Sequence, residues 1–300
     1  MLKELVQDRK ARLGMFLMLL FLLMATVGPW LVGDPTDFVG VPLQPPSRAH
    51  WFGTTGQGQD VFAQTIVGAR TSLLVGFVVG VSVVMVGALV GTAAGYFGGW
   101  VDDVLSLIIN IFLVMPGLPL MVVFAAYLPA GPVTIASVLI FTGWAWSARV
   151  LRAQTLSLRQ KDFVMAAIIA GESHGRIVVV ELLPNMSSLL VSSFIGATIY
   201  AIGAQVGLEF LGLGDSNAVT WGTNLYWASN DSALLTGSWW TFVPTGASVA
   251  LVGFGLALLN GAIDAFGNPR LRRETAFDEA VANTPFAHGM ATPVLRGDNG

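Results

Sequence analysis

The side chains that could do chemistry in this sequence are few and widely separated. A phosphate-binding loop needs Gly-xxxx-Gly-Lys-Ser/Thr, and no lysine has that context. The three histidines have no helical metal-ligand spacing, there is no cysteine, and no Ser/His/Asp set shares a face. The sequence therefore predicts no catalytic residue, no metal site and no cofactor on this chain. The residues concerned are Lys3, Lys10, Lys161, His50, His174 and His288.

The segment with the most information is polar at its start and runs from Ser157 to Asn185. Its pattern predicts a short helix to about Ala170, a break at Gly171, and a second short helix that ends before Pro184. Glycine after a helix takes the left-handed conformation at little cost. A bent pair of short helices suits docking into a groove on another protein. An amphipathic element lying on a membrane surface fits the same spacing equally well.

Long apolar stretches flank this segment, and the helices that they form must hold it in place. The chain is 54% apolar and 11% charged, with a mean hydropathy of +0.70, whereas soluble domains carry about 25% charged residues. A bilayer core needs about 20 apolar helical residues. The predicted fold is an all-α bundle of six transmembrane helices. They cover about 13–32, 72–95, 104–128, 132–148, 188–211 and 242–262.

The first apolar stretch resembles a signal peptide at its start, because basic residues precede it. The apolar run is too long for that role, and Gly28, Pro29 and Trp30 stand where a small-residue cleavage site would lie. We therefore expect a retained helix.

Basic residues are distributed unevenly between the two sides of the predicted bundle. Thirteen of the 15 lysines and arginines fall before the first stretch, in the loop 149–187 or after the sixth stretch, and only Arg48 and Arg70 fall on the other side. The positive-inside rule therefore places both termini in the cytoplasm. The net charge of −3 and a pI near 5.5 argue against nucleic-acid binding.

The predicted domain organisation has three parts. A cytoplasmic N-terminus is followed by the transmembrane domain and by a polar cytoplasmic tail, which composition predicts to be disordered. Two external segments interrupt the domain, one rich in Pro and Gly and one with four tryptophans, which predict an aromatic belt at the membrane surface. The parts are 1–12, 13–267 and 268–300, and the external segments are 33–71 and 212–241.

Small residues, prolines and charges mark the apolar stretches. The glycines of the second stretch follow a small-xxx-small spacing, which predicts close packing within the bundle. Pro116 and Pro119 should kink the third stretch. The charged Glu209, Asp264 and Arg149 lie near stretch ends, where solvation at the interface explains them. The glycines are Gly76, Gly80, Gly87, Gly91 and Gly95.

Several motifs make the chain similar to a known family. Met165-Ala166-Ala167-xxx-Gly171, followed by Ile177 and Leu182-Leu183-Pro184-Asn185, resembles the cytoplasmic coupling loop of ABC importer permeases. Further segments narrow the resemblance to the dipeptide/oligopeptide (peptide/nickel) branch, in its second-permease form. They are His50–Thr54, Gly58–Val61, Gly68–Gly76, Gly95–Asp102, Phe210–Gly214 and Trp221-Gly222.

The chain departs from the family pattern at a few positions. Met165 stands where the loop usually has glutamate, and Glu181 stands at a usually basic or histidine position. Thr55 and Gln59 replace aspartate and arginine in the external segment. The first change removes one polar contact to the ATPase, and the external changes weaken the argument for a peptide substrate.

The resemblance implies a non-catalytic permease of the bacterial inner membrane. Its partners would be a second homologous permease, two ATPase subunits that hold ATP and Mg²⁺, an external solute-binding protein and the lipid bilayer. It implies ATPase docking by the coupling loop through Met165, Ala166, Ala167, Gly171, Ser173, Ile177, Leu183 and Pro184. As a possible translocation path or outer gate we name Pro116, Pro119, Glu209, Trp221 and Asn224.

Alternatives remain open at this stage. The branch favours short peptides, but an external segment rich in Trp and Asn and poor in charge suits oligosaccharides such as β-glucans. An ion-coupled secondary transporter would need a buried ionisable residue. A membrane-embedded enzyme would need convergent polar groups inside the bundle.

The absence of cysteine makes the topology directly testable. Ser173→Cys is expected to react only with a thiol reagent supplied from the cytoplasm, and Ser216→Cys only with one supplied from outside. Labelling of intact cells and of inverted vesicles measures this. The opposite pattern would contradict the six-helix topology.

Overall fold

Helices make up most of the chain in this computed structural model, which describes residues 8–267. The longer ones are α1 (Arg9–Thr26), α2 (Val61–Phe97), α3 (Gly99–Val114), α4 (Gly117–Tyr127), α5 (Pro132–Arg159), α6 (Asp162–Ile169), α7 (Ser187–Phe210), α8 (Trp221–Asn230) and α9 (Val243–Gly267). Short helical turns cover Gly28–Leu31, His174–Arg176, Ile177–Leu182, Leu183–Asn185, Ala233–Thr236 and Trp239–Thr241. The predicted tail 268–300 lies outside the described residues, as do residues 1–7.

Four of these helices, α2, α5, α7 and α9, are long and apolar enough to cross a membrane, and the bent pair α3–α4 adds a fifth span if it is counted as one. The first helix, α1, has 18 residues and carries Arg9, Lys10 and Arg12 at its start, which shortens its apolar part. The expected all-α membrane class is therefore confirmed.

Two helices are longer than hydropathy predicts. The helix expected from Ser72 begins at Val61, where the Asp60 carboxylate accepts a hydrogen bond from the Ala63 amide at 2.9 Å. Residues 61–71, which the prediction assigned to the external segment 33–71, are therefore helical. The helix expected to end at Ala148 continues to Arg159, so Arg149 lies inside it. Polar residues in these extra turns hid them from a hydropathy count.

The third apolar stretch is broken and not merely kinked. Its first helix, α3, begins at Gly99 and ends at Val114; Met115 and Pro116 are extended, and α4 leaves at an angle of 84°. Pro119 lies in the first turn of α4, where a proline without an N–H loses no helical hydrogen bond. Only Pro116 therefore interrupts the helix, and the prediction of two kinking prolines was wrong for Pro119.

Glycines on α2 set the distances between the central helices. Gly76 and Gly80 lie against Ile202 and Thr198 of α7. Further along, the other three glycines lie against α5, where a Cβ at Gly91 would collide with the carbonyl oxygen of Ala148. The predicted packing within the bundle is confirmed. The glycines against α5 are Gly87, Gly91 and Gly95, and they face Ser147, Ala148 and Thr155.

The segments 33–60 and 212–241, the second of which contains α8, gather at one end of the bundle, which we call the loop end. The Trp240 indole N–H donates to the Thr54 carbonyl at 3.3 Å, and the Asn224 amide donates to the Gln64 carbonyl at 3.1 Å. The segment between α5 and α7 lies at the opposite end, where α2 also finishes. The bundle therefore has two ends of different construction.

The glycine contacts predict that the loss of stability on substituting a glycine by alanine depends on its position. Gly91→Ala should destabilise the protein by about 1–3 kcal/mol, because the new methyl group meets backbone and not a movable side chain. Thermal unfolding in detergent measures this. The matched control is Gly203→Ala in α7, where no atom lies within 4 Å of the new Cβ, and which should be neutral or gain up to about 1 kcal/mol. Equal unfolding temperatures for the two variants would contradict the packing argument.

Candidate functional site

The connection between α5 and α7, residues 160–186, is a bent segment made of two helical limbs. The first limb, α6, ends at Ile169 and is followed two residues later by Gly171, which has a φ of 80°. The Gly171 amide donates to the Ile168 carbonyl at 3.0 Å, and the Glu172 amide donates to the Ala167 carbonyl at 3.1 Å. This pair of bonds is a Schellman motif, which requires the left-handed residue that glycine supplies. The predicted break at Gly171 is confirmed.

The second limb differs from the prediction. Helical turns run from His174 through Pro184 to Asn185, and the middle of the limb, Ile177–Leu182, is a π-helix. A proline ring collides with the carbonyl four residues earlier in an α-helix, so a wider turn ahead of Pro184 lets the helical path continue. The expectation that this helix ends before Pro184 was therefore wrong.

The residues expected to dock an ATPase divide into two groups. Those that face outward from the bent segment are Met165, Ala166, Gly171, Ser173 and Pro184. Ile177 is fully buried, and Ala167 and Leu183 are partly buried against the apolar side chains beneath the segment. These three hold the segment on the membrane helices. Ile169, which the sequence analysis did not single out, is 83% exposed beside Ile168 and Met165.

A polar cluster lies at the loop end, around Glu209 near the end of α7. Glu209 is 2% exposed; its Oε2 accepts from the Thr220 hydroxyl at 2.5 Å and its Oε1 from the Gln205 amide at 3.0 Å. Gly222 lies so close that a Cβ there would overlap the carboxylate. The expected solvation of Glu209 at the interface was therefore wrong, because α8 folds over it.

Trp221 and Asn224 lie on α8 beside the Glu209 cluster, so three of the five path candidates come together. Trp221 is 0% exposed; its indole N–H donates to the Thr65 carbonyl at 3.0 Å and its backbone N–H to the Ser72 hydroxyl at 3.1 Å. It does not belong to an aromatic belt. Pro116 and Pro119 lie apart from this group, at the break between α3 and α4.

A cavity of about 570 Å³ lies between α2, α5, α7 and α9. Its lining is apolar or neutral and contains no Asp, Glu, Lys, Arg or His. Sequence reasoning missed this cavity, although the run of small residues on α7 at Ser192, Ser193 and Gly196 was a signal. The lining residues that carry a polar atom or a large ring include Thr142, Trp146, Ser147, Ser193, Tyr200 and Asn260.

Comparison with known proteins assigns this helical architecture to a family. Residues 84–268 match the family described as binding-protein-dependent transport system inner membrane component. The chain belongs to this family. It is accordingly a multi-pass protein of the bacterial inner membrane. The coupling-loop motif that suggested the family, Met165 to Asn185, lies within the matched range.

Relatives of this inner membrane component cover most of its length. The dipeptide transport system permease protein DppC of Bacillus subtilis is 32% identical over 278 residues, which is 90% of this chain and 85% of that protein. The oligopeptide transport system permease protein OppC of the same species is 31% identical over 273 residues, 89% and 87% of the two chains. OppC of Mycobacterium tuberculosis is 38% identical over 183 residues, 60% and 62%.

The Glu209 cluster predicts how firmly α8 is held in this inner membrane component. Glu209→Leu should destabilise the protein by roughly 2–3 kcal/mol, because the buried Thr220 hydroxyl and Gln205 amide lose their acceptor and an unsatisfied buried donor costs about 1–3 kcal/mol. Amide hydrogen exchange across residues 221–230 should accelerate.

The same substitution at an acidic residue of the bent segment is the control. Glu181→Leu is expected to leave exchange in α8 unchanged, because within the described residues its carboxylate makes no hydrogen bond or salt bridge. Glu209→Gln keeps an acceptor and should have an intermediate effect. Unaltered exchange in all three variants would show that the Glu209 cluster does not hold α8.

Proposed function

We propose that this chain is a transmembrane permease subunit of an ATP-driven importer for short peptides. The observation that carries the proposal is the outward apolar face of α6 at the end of the bundle where a cytoplasmic ATPase would bind. No phosphate-binding loop exists in the sequence, so ATP and Mg²⁺ would be held, and ATP hydrolysed, by partner subunits. The relatives named as dipeptide and oligopeptide permeases support peptides as the substrate class.

The proposed topology has six spans with both termini in the cytoplasm. The first span is α1 with the turn Gly28–Leu31, and the bent pair α3–α4 counts as one span. Support for α1 comes from its packing: Gly14 lies against the Gly255 carbonyl of α9, and Phe21 meets the buried Trp221 ring at 5.9 Å. The uneven distribution of basic residues supports the orientation.

The ATPase contact is proposed to lie on α6. Phe163, Met165, Ile168 and Ile169 are exposed apolar side chains on one short helix, and the charged or polar residues around them mark this end as outside the hydrocarbon core. A short helix with exposed apolar side chains can bind an apolar groove on a partner. Two ATPase subunits would dock in this way, one beneath this chain and one beneath a second, homologous permease.

The translocation path is proposed to include the neutral cavity between α2, α5, α7 and α9. Peptides differ in the charge of their side chains. A cavity lining without ionised groups neither retains nor repels peptides of one particular charge. The second permease would complete the path, and an external solute-binding protein would deliver the peptide. In this proposal Glu209, Trp221 and Asn224 stabilise the outer end of the path and do not line it, because Glu209 and Trp221 are fully packed.

Reconstitution with the partner subunits tests the proposal. Proteoliposomes are expected to accumulate radiolabelled trialanine only when ATP is present on the side of the membrane where the ATPase subunits lie. Ala166→Asp should weaken ATPase association by at least about 30-fold, because it places an unpaired charge in an apolar groove, while the unfolding temperature of the permease stays unchanged.

The neighbouring alanine is the matched control. Ala167→Asp puts the same charge against the permease's own apolar cluster and should lower the unfolding temperature instead. Full ATPase association by Ala166→Asp would exclude α6 as the docking element. Uptake of a β-glucan oligosaccharide with no uptake of trialanine would overturn the peptide assignment and leave the permease assignment intact.

A further inference from the structure

A side-chain hydrogen bond joins the bent segment to the end of α2. The Tyr96 hydroxyl, at the end of α2, lies 2.9 Å from Nδ1 of His174. Tyr96 is 5% exposed, whereas His174 lies at the exposed surface of the segment. His174 begins the second limb, three residues after the left-handed Gly171. The contact therefore lies directly at the bend of the segment.

The remaining side-chain contacts beneath the bent segment are apolar or involve sulfur. Within residues 8–267, the Tyr96–His174 pair is the one side-chain hydrogen bond between nitrogen or oxygen atoms that joins residues 160–186 to another helix. Apolar contacts are non-directional and permit sliding, whereas a hydrogen bond fixes both a distance and an angle. The apolar cluster consists of Tyr96, Leu151, Val164, Ile177, Leu182 and Met186.

Aromatic packing further restricts the orientation of the His174 ring. The Tyr96 and Phe97 rings lie edge-on to the His174 imidazole, with centroid distances of 5.7 and 6.0 Å. The phenol hydroxyl can donate to a neutral Nδ1 or accept from a protonated one, so the hydrogen bond is available in either state of His174. The pair is therefore a positional contact.

The helix that carries Tyr96 has little freedom to move alone. Gly95 packs against Thr155 and Gly91 against the Ala148 backbone, so α2 and α5 are in direct contact at the same end. A displacement of His174 would pass through Tyr96 to α2 and from there to α5. Packed interiors transmit strain because they contain few voids.

We propose that Tyr96 and His174 are positioning residues that transmit movement of the bent segment to the transmembrane helices. The inference rests on the proposed function, in which an ATPase moves α6. Without this hydrogen bond the segment would still dock, but part of its movement would be lost as sliding over the apolar cluster.

A distance measurement on the permease alone tests the positional part. Spin labels at Leu89→Cys on α2 and Ile169→Cys on α6 occupy exposed sites in a cysteine-free chain. Tyr96→Phe is expected to broaden the distance distribution in nanodiscs. Tyr127→Phe, the same change at an 87% exposed tyrosine, should leave it narrow. An unbroadened distribution in Tyr96→Phe would overturn the proposal.

The assembled importer tests the coupling part. Tyr96→Phe should transport about fivefold less trialanine per ATP hydrolysed, the effect expected for one hydrogen bond. His174→Phe should match it, and the double variant should add nothing further. His174→Asn offers an acceptor near the Nδ1 position and should restore most of the ratio.

The possible outcomes separate the two proposals. A purely structural role would lower the unfolding temperature and the yield but leave the transport ratio unchanged, which would overturn the coupling role. Additive losses in the double variant would do the same. If the wild-type importer hydrolyses ATP but moves no trialanine, the peptide assignment fails, and the spin-label distances still decide whether Tyr96 positions the bent segment.

Discussion

The close approach of α2 to α5 and α7 is the contact on which the rest of this structure depends. In a bilayer, lipid tails are as apolar as the helices, so helices associate through packing and hydrogen bonds and not through the hydrophobic effect. Glycines allow the backbone of α2 to touch its neighbours, as at Gly91 and Ala148. With α5 and α7 placed in this way, the bent segment between them and the loop end above them acquire fixed positions.

The sequence predicts the parts of this structure that depend on local composition. The apolar stretches, the glycine packing and the bend at Gly171 all follow from residue type and spacing. Hydropathy could not show that the turns after Val61 are helical, because they contain polar residues. These residues pack against the loop end. Nor could it show that Glu209 is buried, since Thr220 and Gly222, around the start of α8, contact it from 11 and 13 positions later in the chain. Ile177 is buried at the start of a π-turn that spacing alone does not predict.

The two ends of the bundle hold different kinds of side-chain group, buried and hydrogen-bonded at one end and exposed and apolar at the other. At the loop end, a buried carboxylate and a buried indole find their hydrogen-bond partners within the chain. At the other end, α6 exposes Met165, Ile168 and Ile169 together. The loop end is therefore stabilised by internal hydrogen bonds, although it also exposes apolar side chains such as Phe38, Val41 and Leu235.

The length of α2 has a consequence for how its sequence can change. Thirty-seven residues at 1.5 Å each make a rod of about 55 Å, well beyond the roughly 30 Å of a hydrocarbon core. This rod contacts Asn224 near its first turn and His174 at its last. Insertion of one residue midway would rotate one half by about 100° relative to the other and separate the glycine faces. Evolution can therefore substitute along α2 far more readily than it can insert or delete.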